Sequence, residues 1–494
     1  MLSKQKTDNL LGKIRNGVAM TQGEKLNLIW LLSLPSILAQ ITNVMMFFID
    51  QAMVGSLGAE APAAIGLVES SIWLFGGIAS ATSMGFSVQT AHFIGANDFE
   101  KARKVVCHAL AFCLLFSFMI GMVAVAISSP LPHLLGGGDD IAADASRYFL
   151  IFSCAVPLLQ MNNLASAMLK CEGNMRVAST MSVVLCVLDM IFNFFLIFPT
   201  RSVTLAGLQM TIPGAGLGVT GAALGTALAF LVACLCQGWF AFYHSKMLGV
   251  LRMTKTHDGA GMMQRLTSLL RSPKSLLDAV EWQYIRNAQK ISIPIAFQSM
   301  LMSGAQIVST MIVAPLGNFA IAANTFAITA ESLCYMPGYG IGEAATTLVG
   351  QSMGARRGEL CKSFAWMTVT SGMLVMALMG CVMYWSAPEL MGLMTPVAAI
   401  RDLGAECLRI EAFAEPMFAA SIVAYQVCVG AGDTAKPALI NLCSMWLVRL
   451  TLAAFLARSY GLQGVWFAMA VELSVRGMLF LFRLYRGKWL AKIL

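Results

Sequence analysis

Acidic side chains occur inside several long apolar stretches of this sequence. Asp50 lies near the end of the first stretch, 15 residues after Pro35, and Asp189 lies in the fifth. An ionised side chain in hydrocarbon costs about 2.5–3.5 kcal/mol or more, so such residues are candidates for function by default. Asp189 and Asn193 are four residues apart, which places them on one face of a helix. Their oxygens suit a hard cation such as Na⁺ or a proton relay. Alternatively, Asp50 lies at headgroup level and merely contacts water.

Motifs for catalysis are absent from the sequence. The 13 Cys include no CxxC pair, and the five His lack metal-ligand spacing such as HExxH. There is no GxSxG elbow and no GxxxxGK(S/T) phosphate loop, so no ATP hydrolysis is encoded. A membrane-embedded enzyme stays an alternative that would need a reactive constellation not found here. Any energy that the protein needs would then come from an ion gradient, and neither a cofactor nor a structural metal is expected.

The composition is that of a membrane protein. Hydrophobic residues make up 58% of the 494 residues, charged residues make up 12%, and the mean hydropathy is +0.73. Soluble domains carry roughly 25% charged residues. A helix needs about 20 apolar residues to span a bilayer, and backbone in lipid must satisfy its own hydrogen bonds. We predict an all-α integral membrane protein with twelve transmembrane helices, near 28–54, 62–86, 106–129, 146–168, 178–198, 217–241, 289–313, 319–347, 364–386, 406–429, 437–457 and 462–482.

Basic residues gather in alternate loops, and such residues are retained on the cytoplasmic side. The pattern predicts a multi-pass protein of the cell (inner) membrane with both termini cytoplasmic, and no removable signal peptide is expected. The net charge of +8 follows from this asymmetry and from anionic lipid headgroups, so nucleic-acid binding is not expected. The basic residues concerned are Lys4, Lys6, Lys13, Arg15, Lys25, Lys101, Arg103, Lys104, Lys170, Arg176, Arg356, Arg357, Lys362, Lys436, Arg483, Arg486, Lys488 and Lys492.

One long polar stretch divides the chain into two halves. Part of it, 262–271, could form an amphipathic basic helix on the membrane surface, or the whole stretch could be a solvated linker. The predicted organisation is a cytoplasmic segment at 1–25, a six-helix lobe at 26–242, a cytoplasmic linker at 243–288, a second six-helix lobe at 289–484 and a cytoplasmic tail at 485–494.

The two halves resemble each other at a constant offset of 259 residues. Because six spans separate the copies, both insert with the same topology and form pseudo-symmetric parallel repeats. Repeats of this kind enclose a binding site at their interface and move around it. The offset superimposes Pro35 on Pro294, Leu57-Gly58 on Leu316-Gly317, Ala63-Ala64 on Ala322-Ala323, and Gly95-Ala96 on Gly354-Ala355.

Further short motifs make the chain similar to a known family. The residues that carry the resemblance are Pro35, Gln40, Asp50, 53–58, Ala63-Ala64 and Gly95-Ala96, then 314–317, 322–324 and 350–355, together with Gly173, 218–223, 432–434 and 464–466. Their order and spacing resemble the multidrug and toxic compound extrusion (MATE) family over essentially the whole chain.

The resemblance implies a cation site in the first lobe. Asp50 matches the acidic residue that binds the coupling cation in the family. Asp189 and Asn193 stand in the reverse of the order, Asn then Asp, that many relatives carry. Asn163 and Thr226 match family positions that add neutral oxygens around the cation. Interhelical hydrogen bonding is the alternative role for these polar residues.

The second half differs from one branch of the family. That branch carries a glutamate where this chain has Met302, and no aspartate lies inside the tenth span, so a cation site of that kind is not expected there. Gln40, Glu331 and Met302 are assigned to the substrate cavity, where Glu331 would attract a cation. Glu472 and Arg476, four residues apart, are expected to pair. The remaining acids within apolar stretches are Glu69, Glu343, Glu411 and Glu415.

The function implied by the resemblance is secondary active antiport. The chain would export small cationic or amphiphilic compounds in exchange for Na⁺ or H⁺, functioning as a monomer in the bilayer. Pro35 and Pro294 each free a backbone carbonyl, so the first helix of each half could bend there during transport. The alternative within the wider superfamily is a flippase for lipid-linked precursors, which has more spans and a strongly basic central cavity.

Overall fold

The computed structural model describes the chain except for residues 1, 59, 136, 206–207, 246, 249–280 and 492–494. The predicted linker helix at 262–271 therefore lies outside the described residues. The helices of the first half are α1 (Leu2–Arg15), α2 (Gln22–Gly55), α3 (Glu60–Gly95), α4 (Phe99–Ile127), α5 (Leu131–Leu134), α6 (Asp139–Glu172), α7 (Met175–Ile197) and α8 (Gly218–Gly238), which a π-helical segment extends through Trp239–His244.

The regular elements in the described part of the second half are all helical. Its helices are α9 (Trp282–Val313), α10 (Asn318–Gly354), α11 (Gly358–Met394), α12 (Ala398–Ala412), α13 (Glu415–Gly430), α14 (Ala435–Cys443) and α15 (Leu450–Arg486), with a π-helical segment, Ser444–Arg449, between the last two. Short 3₁₀ turns occur at Ala314–Leu316 and Lys488–Ala491.

A β-hairpin between α7 and α8 corrects the prediction of an all-α fold. Strands β1 (Pro199–Leu205) and β2 (Leu208–Ala215) pair in antiparallel fashion. These residues fall between two apolar stretches of the sequence, at 178–198 and 217–241. Short alternation of polar and apolar residues is a weak signal of a strand.

Length and composition alone identify fewer than twelve spans among the described helices. Of the described helices, nine are long and apolar enough to cross a membrane, and the pair α12 and α13, bent by 60°, would make a tenth. The helix α10 is not among the nine although it has 37 residues. The helical run Ala435–Arg486 is one of the nine candidate spans, although its 52 residues are more than twice the length that one span needs. Within that run Gly461 has φ 59° and ψ −139°, which interrupts the helix.

Helix ends follow from local sequence signals. Thr21 and Glu24 form a capping box at the start of α2, in which the Glu24 backbone N–H donates to Thr21 Oγ1 at 3.2 Å. Gly173 ends α6 with φ 92°, a conformation that glycine adopts without strain. Pro35 and Pro294 both lie inside continuous helices, α2 and α9.

The two halves meet most closely at the end of the molecule that carries Lys101, Lys170 and Arg356, here named the basic end. There α2 and α3 pack against α9 and α10. A Cβ atom on Gly95 would lie 2.0 Å from the Gln351 carbonyl oxygen, and one on Gly354 would lie 1.8 Å from the His92 carbonyl oxygen. These positions tolerate only glycine because the backbones of α3 and α10 touch.

The first residues of the chain form a helix that covers the basic end. Leu11 and Ile14 of α1 are buried in an apolar cluster with residues from α2, α7, α10 and α11. The Arg357 guanidinium donates to the Lys13 carbonyl oxygen at 3.0 Å and to the Val18 carbonyl oxygen at 2.9 Å. Since Arg357 belongs to the second half, α1 binds both halves.

Candidate functional site

Asn193 joins the two acidic residues that the sequence singles out. Its Nδ2 atom donates to Asp50 Oδ1 at 2.9 Å and to Asp189 Oδ2 at 3.2 Å. Asp189 and Asn193 lie one turn apart on α7, whereas Asp50 comes from α2. An amide nitrogen carries two hydrogens, so it can donate to both carboxylates at once. We name this group, with Thr226 of α8 beside Asp189, the Asp50 cluster.

Two oxygens of the Asp50 cluster have no hydrogen-bond partner among the described residues. Asp189 is 0% exposed and Asn193 is 1% exposed. Their Oδ1 atoms are buried and accept no hydrogen bond from any described residue. Leaving a buried acceptor unpaired costs about 1–3 kcal/mol. Carboxylate and amide oxygens are ligands that hard cations prefer, and a carboxylate can also bind a proton. The arrangement is therefore suited to capture one small cation or a proton.

Gly225 of α8 makes room for Asn193. A Cβ atom at Gly225 would lie 2.1 Å from Asn193 Oδ1 and 3.0 Å from the Asn193 backbone nitrogen. One turn earlier, a Cβ at Gly221 would lie 2.4 Å from the Leu196 carbonyl oxygen. Small residues allow membrane helices to approach closely. The contact between α7 and α8 thus depends on two glycines, and it brings Thr226 to the cluster.

The Asp50 cluster faces a cavity in the first half of the chain. Glu69 lines the same cavity, and Trp73 Nε1 donates to Glu69 Oε1 at 3.3 Å. The sequence identifies Glu69 as an ionisable residue in an apolar stretch. Its spacing from Asp50 does not predict that the two residues line the same cavity. The residues that line the cavity include Phe47, Asp50, Glu69, Trp73, Tyr148, Asn193 and Thr226.

Asn163 does not lie with the Asp50 cluster. It is on α6 and lines a different cavity, together with Lys170 of the same helix. Tyr148, also on α6, lines the cavity of the Asp50 cluster, and it is separated from Asn163 by roughly 22 Å along the helix axis, at about 1.5 Å per residue. The position of Asn163 therefore does not support its predicted role as a ligand of the cation.

The second cavity lies between the two halves, and we name it the inter-half cavity. Lys170 Nζ lies 2.6 Å from Glu343 Oε1, and Gln40 Nε2 donates to the same oxygen at 3.0 Å. Gln40, predicted to line the substrate cavity, thus contacts a residue of this cavity. The lining includes Ser80, Ser83, Ser87, Asn163, Ser166, Lys170, Glu343, Thr346, Thr347 and Gln426.

Glu331 lies elsewhere, inside the second half. It is 5% exposed, and it interacts electrostatically with Glu411 and Arg449. Glu415 is also close to Glu331, and both carboxylate oxygens of Glu411 are buried without a hydrogen-bond partner among the described residues. The predicted placement of Glu331 at a substrate cavity is therefore not supported by its surroundings.

Met302 packs in an apolar cluster with Ala305, Met445 and Leu450 rather than beside Gln40. The expected pairing in the last helix is confirmed, because Arg476 Nε lies 3.2 Å from Glu472 Oε1 and both side chains are buried. Within the described residues, no group of three His, Cys, Asp or Glu side chains is arranged to hold a metal ion.

A family model described as MatE matches the chain twice, at residues 35–195 and 294–455. The chain belongs to the MatE family. The two matches begin at residues 35 and 294, which are separated by the offset of the internal repeat. Members of the MatE family are transporters, so the prediction of a membrane transporter that is not an enzyme is confirmed.

Curated relatives cover almost all of this MatE chain. "Probable multidrug resistance protein NorM" of Thermotoga maritima is 23% identical over 464 residues, 93% of this chain and 92% of the relative. A protein of the same description from Neisseria meningitidis serogroup A is 22% identical over 461 residues, 92% of each chain.

Solved structures share the MatE fold. The outward-facing conformation of a multidrug resistance MATE family transporter superimposes with a TM-score of 0.82 at 19% identity, covering 95% of this chain and 97% of the other. A mutant of the Vibrio cholerae MATE transporter VcmN gives 0.79 at 16% identity, covering 98% of both chains. At these identities the likeness concerns the fold of the chain and not the chemistry of its site.

Proposed function

We propose that this protein is a secondary active antiporter that exports small cationic or amphiphilic compounds in exchange for Na⁺ or H⁺. The observation that carries the proposal is the Asn193 amide, which holds carboxylates from two different helices. Beside it, two oxygens have no hydrogen-bond partner among the described residues. Such a group changes its affinity for a cation when α2 moves relative to α7. The description of the NorM relatives as multidrug resistance proteins supports drugs as substrates.

A twelve-span topology with two six-helix lobes is proposed for the membrane. The helix α10 is long enough to cross, and it packs between helices of both halves. Its Glu331 and Glu343 are buried or partly buried, so they need not contact lipid. The break at Gly461 divides Ala435–Arg486 into two spans, and the bent pair of α12 and α13 supplies another. The first lobe then ends before the linker and the second begins with α9.

Both termini are proposed to be cytoplasmic, which makes the basic end the cytoplasmic end. The two lobes contact each other there through Gly95 and Gly354, and α1 covers both. Contacts that close the cytoplasmic side favour an outward-facing state for this conformation. The same state is named for a MATE transporter whose fold superimposes closely.

The proposed mechanism links ion capture to the arrangement of the first lobe. A cation or proton from outside binds at Asp50 and Asp189 and removes the repulsion between the two carboxylates. The α2 helix, which lacks one backbone hydrogen bond at Pro35, can then change its bend. The rearrangement favours the inward-facing state, in which substrate enters between the lobes. The protein acts as a monomer in this proposal.

Substitution of the two carboxylates tests the proposal. Asp50→Asn and Asp189→Asn keep the shape of the side chain but remove its charge, so gradient-driven efflux from vesicles should fall by roughly tenfold or more. Glu359→Gln is the matched control because Glu359 lies at the protein surface and its side chain is 90% exposed. Full gradient-driven efflux by Asp50→Asn would contradict the mechanism. Efflux measured without Na⁺, and again with the pH gradient collapsed, identifies the coupling ion.

Transport of a lipid-linked precursor is the second candidate. An anionic precursor would need several basic side chains to bind its phosphates. Of the described residues that line the inter-half cavity, only Lys170 is basic, and Glu343 pairs with it. This charge balance favours small cations over anionic lipids as substrates.

A further inference from the structure

One ion pair crosses the inter-half cavity. Lys170 lies in the last turn of α6, in the first lobe, and Glu343 lies on α10, in the second. Lys170 Nζ is 2.6 Å from Glu343 Oε1, and Gln40 of α2 also donates to that oxygen. The partners are separated by 173 residues and belong to different lobes. Any motion that parts the lobes at the cytoplasmic end must therefore break this pair.

Two further hydrogen bonds hold the end of α6 against α10 beside this pair. Thr347 Oγ1 donates to the Lys170 carbonyl oxygen at 3.0 Å, and Gln351 Nε2 donates to the Cys171 carbonyl oxygen at 2.8 Å. Both bonds join α10 to the end of α6. The end of α6 is thus fixed against α10 by its backbone as well as by the charge of Lys170.

The carboxylate of Glu343 is only partly satisfied. Its side chain is 17% exposed, and that of Lys170 is 26% exposed. The Oε1 atom accepts both hydrogen bonds, whereas Oε2 is buried and has no partner among the described residues. A shielded carboxylate that loses its cation is strongly disfavoured. When the lobes part, Glu343 Oε1 loses Lys170 and can accept another positively charged group.

Small polar residues line the same cavity as this carboxylate. Ser80, Ser83 and Ser87 of α3 line the cavity together with Thr346 of α10. Hydroxyl groups can donate to a carboxylate or accept from an ammonium group, and their small size leaves room for a ligand. The described lining offers a single carboxylate, Glu343, for a positive charge.

We propose that Glu343 is the recognition carboxylate for organic cations in the inter-half cavity, and that Lys170 is a tethered competitor which displaces the cation when the cytoplasmic end closes. In the inward-facing state Glu343 binds the positive group of the substrate. As the lobes close, Lys170 returns to Glu343 Oε1 and the substrate leaves on the outer side. This inference rests on the proposed antiport and deepens it, because it names the group that releases the substrate.

Binding of tetraphenylphosphonium to the purified full-length protein tests the proposal without any ion gradient. Removal of the competitor in Lys170→Gln should tighten binding by about tenfold, and removal of the carboxylate in Glu343→Gln should weaken it by at least about tenfold, as expected for a charged interaction. The double variant should bind as weakly as Glu343→Gln. Lys170→Arg keeps the competing charge and should bind like the unchanged protein.

If the Lys170–Glu343 pair only stabilises the contact between the lobes, a different result is expected. In that case both single substitutions loosen the same closed state, so they change tetraphenylphosphonium affinity in the same direction. Effects of equal sign, or no effect, would overturn the proposal. Glu343→Gln is nearly isosteric, whereas Lys170→Gln also shortens the side chain. A monodisperse elution profile together with an unchanged unfolding temperature shows that both variants fold. A failure of the proposed antiport would appear in the efflux of Asp50→Asn, which tests the coupling site. A failure of the present inference would appear in tetraphenylphosphonium binding, so the two failures are distinguishable.

Discussion

Substitution of Gly225 by alanine should disable the Asp50 cluster without removing any of its polar groups. The new Cβ would lie 2.1 Å from Asn193 Oδ1, well inside van der Waals contact, and 3.0 Å from the Asn193 backbone nitrogen. Either the Asn193 amide turns away, or α7 and α8 move apart. Overpacking of this kind costs about 1–3 kcal/mol. Loss of the two hydrogen bonds to Asp50 and Asp189 would add about 1.5–3 kcal/mol for each bond to a charged group.

The effect should appear in two assays. Thermal unfolding in detergent should show a lower midpoint, and ion-driven efflux in proteoliposomes should fall by about tenfold or more, since 1.4 kcal/mol corresponds to a factor of ten. The control is Gly238→Ala on the same helix, α8, where the new Cβ would meet only Phe242 at 3.8 Å. Alanine in a helix is favoured over glycine by about 0.5–1 kcal/mol, so this control should be neutral or stabilising. Wild-type efflux and stability in Gly225→Ala would refute the reasoning.

Two further substitutions test the buried pair in the last helix and the contact between the halves at the basic end. Arg476→Met leaves the Glu472 carboxylate buried without its cation, so the free energy of unfolding should fall by about 3–5 kcal/mol. Adding Glu472→Gln should recover most of the lost free energy of unfolding. A loss below about 1 kcal/mol in Arg476→Met alone would contradict the argument. Gly95→Ala places a methyl group 2.0 Å from the Gln351 carbonyl oxygen, so the lobes should part and hydrogen exchange in the adjoining ends of α3 and α10 should rise. Gly358→Ala, where nothing lies within 4 Å, should leave exchange unchanged, and equal exchange in both variants would count against this view of the interface.

Local spacing predicted the part of the site that lies within one helix. Asp189 and Asn193 share a face because they are four residues apart, and their shared burial follows. The approach of Asp50 to them could be expected only from the family resemblance, since hydropathy does not say which helices pack together. The contact between Asn193 and Gly225 was invisible for the same reason. It depends on the distance between two helix axes, and the periodicity of the sequence does not reveal that distance.

The inter-half pair shows the same limit more sharply. Lys170 was recognised as a loop cation and Glu343 as an acid in an apolar stretch, yet 173 residues separate them. Nothing in their spacing relates one to the other. Asn163 illustrates the opposite error, because a residue that matches a family position lies in another cavity of this chain. The hairpin was missed because its strands are short and stand between long apolar helices.

The glycine contact at the basic end has a consequence for the history of the fold. Gly95 meets the carbonyl of Gln351, and Gly354 meets the carbonyl of His92, so exchanging the two halves maps the contact onto itself. A contact with this property is isologous, the kind that joins two identical subunits around a two-fold axis. A polypeptide of half this length could have made the same contact with a second copy of itself. The contact thus has the symmetry of a homodimer interface, although both of its sides belong to one chain.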